Sequence, residues 1–312
     1  MNRQVYLDHN ASTPVHPEVV EAMLPYFSER FGNPSSVHGF GREAREGLET
    51  AREQVAHFLR VGKEEVVFTS GGTESDNMAV KGVAMARRQG HIITSRIEHH
   101  AVLRAVQTLE SQGFPATYLD VDGHGQVDPD ALRRAIRPDT ILITIMHANS
   151  EIGTIQPARE LGAIAREHNI PFHMDAVQTF GKVPIDLDAF NIDMLSFSGH
   201  KIYGPKGVAG LYIRKGTKMV SIQHGGEHER RRRAGTENVA GIVGFGKAVE
   251  IRGRDMAEEA SASPASATGS GRGSSAACPR CGSTGTPPSG SPAPATCASG
   301  TWSRNPSCSA WI

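Results

Sequence analysis

The sequence predicts an α/β fold, a mostly parallel seven-stranded sheet sandwiched by helices. Three observations predict it. Short apolar runs recur along residues 65–213, helical spacing fills the stretches between several of them, and the runs end in clusters of polar residues and glycines. Apolar runs that short, separated by helices, are how strands buried on both faces of a parallel sheet read.

Strands are expected at Glu65 to Thr69, His91 to Thr94, Ala116 to Leu119, Thr140 to Met146, Phe172 to Asp175, Met194 to Ser198 and Val208 to Ile213. Between several of them lie helical patterns over Glu74 to Arg88, Ala101 to Gln112, Asp130 to Ile136 and Ala158 to His168. Upstream, Val19, Val20, Met23, Leu24 and Phe27 form a helical stripe within Pro17 to Phe27. Leu48, Val55 and Leu59 do the same within Arg42 to Leu59, and residues 31–41, FGNPSSVHGFG, read as a loop between the two.

Lys+Arg and Asp+Glu balance at 33 each, which argues against binding nucleic acid or a membrane surface by bulk charge. No apolar run approaches the length of about 18 residues that would suggest a membrane span, and the start MNRQVYLDHN has no apolar signal core, so a cytoplasmic protein is expected. All four cysteines (Cys278, Cys281, Cys297, Cys308) fall near the C-terminus, leaving residues 1–277 without a thiol.

Ligands on such sheets bind at the carboxyl ends of the strands. There the sequence places Thr69-Ser70-Gly71-Gly72-Thr73-Glu74-Ser75, a Gly-rich turn opening a helix, and Glu98-His99-His100. It also places His147 to Glu151, then His173-Met174-Asp175-Ala176-Val177-Gln178, and Ser198-Gly199-His200-Lys201. Taken singly, each has a plain reading: a solvated lysine, a helix cap, a surface histidine. Their convergence points to a site. An anion cradle, a strand-end carboxylate, a flat-ring histidine and a lysine are the parts that hold pyridoxal phosphate (PLP). Lys201 would form the Schiff base, Asp175 would pair with the pyridine nitrogen and His99 would stack on the ring. Gly72, Thr73, Ser198 and His200 would hold the phosphate. No metal site is expected.

The segments YLDHNASTP, FGNPSSVHGFG, FTSGGTESDN, EHHAVL, MHANSEIGTIQP, HMDAVQTFGK, SFSGHKIYGPKG and HGGEHERRRRAGTEN resemble the NifS/IscS-like cysteine desulfurases of the class V aminotransferase group, from Val5 to about Val249. The resemblance implies PLP fold type I and conversion of L-cysteine to L-alanine, with sulfur passed on as a persulfide for iron–sulfur cluster or thio-cofactor synthesis. It implies that Lys201 and His99 are catalytic, that Gln178 contacts the phenolic oxygen of PLP, and that Asn149 lies near substrate and ring. Thr236 would reach the phosphate of a neighbouring subunit in a homodimer, and a sulfur-acceptor protein such as an iron–sulfur scaffold would be the partner.

The resemblance also divides the chain. Residues 1–15 would be an N-terminal segment that packs with a small domain, 16–258 the PLP-binding large domain, and 259–312 a low-complexity tail standing where the family has its C-terminal small domain. The tail is built mostly from Ser, Ala, Gly, Pro and Thr and has no Leu, Val, Phe or Met, so disorder is expected. A reading-frame shift near Glu258 would account for it. The catalytic cysteine loop of the family, of the SSGSACTS type, then has no counterpart, nor has the late arginine that binds the substrate carboxylate. Cys278 and Cys281 alone do not make a zinc site. The alternatives are another class V enzyme, such as a selenocysteine lyase, and a non-catalytic PLP-binding fragment.

Overall fold

In the computed structural model, which describes residues 5–256, all seven expected strands are present: β1 (Val66–Thr69), β2 (His91–Ser95), β3 (Ala116–Leu119), β4 (Thr140–Thr144), β5 (Phe172–Asp175), β6 (Met194–Ser198) and β7 (Ala209–Ile213). They form one sheet in the order β1-β7-β6-β5-β4-β2-β3. β7 runs antiparallel to both its neighbours, and every other pair is parallel. The direct link from β6 to β7 permits the reversal, whereas the parallel pairs need crossovers. The expectations for the tail, including its disorder, the frame shift and its cysteines, lie outside the described residues.

The helices are α1 (Pro17–Met23), α2 (Pro25–Ser28), α3 (Gly39–Leu59), α4 (Gly72–Arg87), α5 (His100–Ser111), α6 (Pro129–Ala135), α7 (Ala158–Glu167) and α8 (239–256). The single helix expected over Pro17 to Phe27 is two, because Pro25 has no N–H to continue α1 and instead opens α2. The expected loop 31–41 gives its last residues to α3, where His38 Nδ1 accepts a hydrogen bond from Gly41 N–H at 3.3 Å and caps the helix. Sequence reading missed α8, whose Gly241, Gly244 and Gly246 dilute the helical signal. Gly246 is needed there: a Cβ would stand 2.7 Å from the Ala51 backbone, where α8 crosses α3.

Side chains alternate between the two faces of the sheet, as strand geometry requires. Val66, Phe68, Ile93, Ile143, Phe172, Met174, Leu195 and Phe197 join the core shared with α3, α7 and α8. Val67, Ile92, Leu142, Met194 and Leu211 join the core under α4 and α5. On the first face Phe197 stacks on Phe180 at 4.5 Å, lies 5.9 Å from Phe245 of α8, and crosses Gly210 of β7, where any Cβ would clash with its ring. Phe197→Ala is expected to cost about 3–5 kcal/mol, read as a lower urea midpoint with an unchanged slope.

Because β1, β2, β4, β5 and β6 point the same way, the connections that follow them meet at one sheet edge. That edge holds the candidate site.

Candidate active site

The chain leaves β1 at Thr69 and turns through Ser70 and Gly71 into α4. No side chain caps this helix, and the space around Gly71 is open to 4 Å. Gly72 packs so closely on Val177 that a Cβ would come within 2.7 Å of its Cγ2. Glu74 folds back to accept from Ser70 N–H at 2.8 Å and pairs with Arg233 at 2.8 Å. The first-turn N–H groups of α4 and its dipole are thereby left to serve an anion.

A cavity of about 320 Å³ opens at this point, walled among others by Gly72, Thr73, His99, Asp175, His200 and Lys201. His99 caps α5, its Nδ1 accepting from Ala101 N–H at 3.1 Å, which fixes the plane of the imidazole. Asp175 ends β5 and accepts from Val177 N–H at 2.9 Å. Burial holds its carboxyl above the ordinary range, although that N–H and the charges of His99 and Lys201 favour the anion.

Lys201 closes the short 3-10 turn after β6, and its Nζ donates to Asn10 O and, at 3.1 Å, to Ala11 O. Burial lowers its pKa, against the opposing pull of Asp8, Asp175 and Glu151. Burial also lowers His200 to about 4, helped by the charges of Lys201, Lys206 and Lys182, so its ring is neutral at pH 7. Gln178 lines the cavity as well, with Nε2 donating to Asn10 O at 3.2 Å and Oε1 buried without a partner.

Three expected residues do not line the cavity. Ser198 is buried at the end of β6 with its Oγ unbonded. Asn149 braces its own loop, Nδ2 donating to Ile97 O at 3.1 Å and Oδ1 accepting from Glu151 and Ile152 N–H groups. Thr236 is exposed, in a segment tied to α4 by the Arg233–Glu74 pair.

Sequence reading gave three features no role at this cavity. The N-terminal segment is one: besides accepting from Lys201, it binds the same turn through Thr13, whose N–H donates to His200 O and whose Oγ1 accepts from Tyr203 N–H at 2.7 Å. Asp76 is another, one turn after Gly72 on α4, facing the cavity and buried to 1 % exposure. A carboxylate at helical spacing with the apolar Ala79, Val80 and Val83 was its signal. Glu98 is the third, accepting from Ser95 Oγ at 2.5 Å and Met146 N–H at 2.9 Å.

Burial pushes Glu98 up to about 8, so it is mostly un-ionised at pH 7. A carboxyl raised on folding stabilises fully below its unfolded value and loses that contribution as pH rises through the folded value. Stability is therefore expected to fall between about pH 4 and 8, and Glu98→Gln to flatten this fall, as followed by denaturation at stepped pH.

The residues fit PLP. Ser198 Oγ and Gln178 Oε1 are buried polar atoms without partners, the uncapped α4 offers an anion seat, and a desolvated amine shares the cavity with a carboxylate. Among the described residues no group of His, Cys, Asp or Glu is placed to hold a metal ion, and no helix is long and apolar enough to cross a membrane.

Residues 5–268 match the family model Aminotransferase class-V. The chain belongs to this family. It is 58% identical over 261 residues to cysteine desulfurase IscS of Dictyoglomus turgidum, covering 83% of this chain and 66% of that protein. It is 58% identical over 259 residues to the IscS of Methanosarcina thermophila, covering 82% of this chain and 64% of that one. The chain thus spans slightly less than two thirds of the length of these two relatives. Among solved structures it resembles a NifS-like protein with a TM-score of 0.81 and 45% identity, covering 83% of this chain and 72% of the other. It also resembles SspA in complex with cysteine, with a TM-score of 0.78 and 48% identity over 79% of this chain and 72% of that one. The family match extends through the whole sheet and every cavity residue.

Proposed function

We propose that this cavity holds PLP and that the protein is a cysteine desulfurase, converting L-cysteine to L-alanine and passing the sulfur to a thiol as a persulfide. The observation that carries the reading is the placement of the desolvated Lys201 amine in one cavity with Asp175, His99 and the uncapped N-terminus of α4. The relatives named cysteine desulfurase support the choice of reaction.

Bound PLP would act as an electron sink for the substrate α-carbon. Lys201, whose burial makes Nζ easier to deprotonate, would attach the cofactor and afterwards hold the proton taken from that carbon. Asp175 would pair with the ring nitrogen and Gln178 with the phenolic oxygen. His99 would lie on the ring face and supply or accept a proton there. Gly72, Thr73, Ser198 and His200 would bind the phosphate, joined by Thr236 from the second subunit of a homodimer. Asn149 would hold the loop 149–152 beside the substrate.

The balance requires an acceptor thiolate: the C–S bond of cysteine breaks, an S–S bond forms on the acceptor, and a proton completes the methyl group of alanine. No cysteine occurs among residues 1–277, so the described residues contain no such thiolate. In the intact pathway a sulfur-acceptor protein of the iron–sulfur scaffold type would receive the persulfide. That missing thiol favours a second reading, in which this chain binds PLP without turnover.

The test is to add PLP, then L-cysteine with a small dithiol, and to assay sulfide and alanine. A visible cofactor band with both products in equal amounts supports desulfuration. A band without products leaves the second reading. No band at all sinks both.

A further inference from the structure

On the α4 side of the sheet, β5 and β6 place His173, Asp175, Ser196 and Ser198 at alternate positions, beneath Asp76. Asp76 and Asp175 line the same cavity, both buried. We propose that Asp76 and Asp175 form a one-proton pair in which Asp76 holds the proton, so that the cavity floor presents a single negative charge, on Asp175. The benefit to a ring nitrogen rests on the PLP reading; the pair itself does not.

The surroundings of Asp76 assign the proton, because Asp175 accepts from Val177 N–H whereas no donor is fixed on Asp76 Oδ1. Thr144 Oγ1 lies 2.8 Å from His173 Nδ1, and Ser196 Oγ lies 2.9 Å from His173 Nε2. Burial lowers His173 to about 3, so the ring is neutral, with one donor and one acceptor nitrogen. Asp76 Oδ1 keeps no partner, and its nearest basic nitrogen is this neutral ring, at 3.7 Å.

Charge from every neighbouring element points the same way. Lys201 and His99 act on Asp175, whereas Asp76 feels two carboxyls, Asp175 and Glu98. β1 and β4 carry no titratable side chain, and Tyr212 of β7 packs in the opposite core. Two buried carboxyls that share a cavity resist ionising together, and Lys201, the basic side chain lining it among the described residues, acts on Asp175. Burial and the Asp175 charge accordingly raise Asp76 well above the carboxylate range.

Infrared spectra of the full chain without cofactor, labelled with ¹³C-Asp, test the pair at neutral pH. An un-ionised carboxylic C=O stretch that Asp76→Asn removes is the expected result; a wild-type spectrum without that stretch overturns the proposal. Urea midpoints give a second reading. A carboxyl raised on folding loses stability as pH rises from its unfolded value, so Asp76→Asn is expected to exceed wild type at about pH 8 and to converge on it near about pH 4. Equal midpoints at both values overturn the proposal. If the variant does not fold, a wild-type spectrum without that stretch still overturns the proposal.

In the PLP-loaded chain the asparagine amide mimics the protonated acid. The dissociation constant for PLP is expected to stay within about threefold of wild type, with the visible band unshifted at neutral pH. A loss of about 100-fold would show that Asp76 acts as an anion, and would overturn the assignment. Should wild type bind no PLP, the infrared and urea results still report on the pair, separating its fate from that of the proposed function.

Discussion

Lys201→Ala is expected to abolish the visible band that PLP acquires with the native chain, without loss of cooperative unfolding. Only a neutral amine attacks a carbonyl, and a free lysine at pH 7 is neutral in roughly one molecule in three thousand. Burial in the turn after β6 lowers the pKa of Lys201, so a larger share is neutral. The band should therefore form at lower pH than with free lysine, which a titration of absorbance against pH measures directly. Lys201→Arg should also lose it, since guanidinium stays charged. The fold should tolerate both changes. Thr13 still bonds His200 O and Tyr203 N–H, so losing the Nζ bonds to the N-terminal segment costs on the order of 1 kcal/mol. A native band in the alanine variant would place the reactive amine elsewhere.

Glu229→Ala is expected to be the most destabilising single change among the charged residues described, at about 3–5 kcal/mol. Arg52 of α3 is buried and meets Glu229 through two hydrogen bonds of 2.8 and 2.7 Å, and Glu229 also accepts from Phe68 N–H in β1 at 2.8 Å. The guanidinium further donates to Val66 O and lies 4.8 Å from the Phe68 ring centroid. Removing the carboxylate would leave the buried guanidinium with only the partly exposed Glu49, at 3.0 Å, as counter-charge, and would strand the Phe68 N–H. It would also release Glu229, Arg230 and Arg231, which hold positive φ values of 44°, 56° and 67° that side chains rarely adopt. That strained turn leads to Arg233 and Thr236, so the pair fixes the segment beside α4. The double variant Arg52→Met/Glu229→Leu should be milder than Glu229→Ala, because it removes both charges at once. Denaturant unfolding of wild type and both variants checks this, and a double variant less stable than Glu229→Ala would refute it.

Much of this was legible in the residues. The seven strands are short apolar runs between turn residues, and period-two burial makes such runs readable without a structure. Gly72, Thr73, His99, Asp175, Gln178, His200 and Lys201 were legible because a parallel sheet brings strand ends together, and all seven line the cavity. α8 was not, since its glycines weaken the helical signal and serve only its approach to α3. The break at Pro25 was readable and overlooked.

By itself the sequence determined the fold class, the family and the strand ends that carry polar groups, because period, turn chemistry and motif are local properties of the chain. The tertiary structure alone decided what the buried charges are. Glu98 looks like an ordinary solvated carboxylate in sequence, and Arg52 and Glu229 look like members of surface runs. Their ionisation depends on how much water the surrounding elements exclude and on which counter-charges remain within reach, and residues far apart in the chain set both.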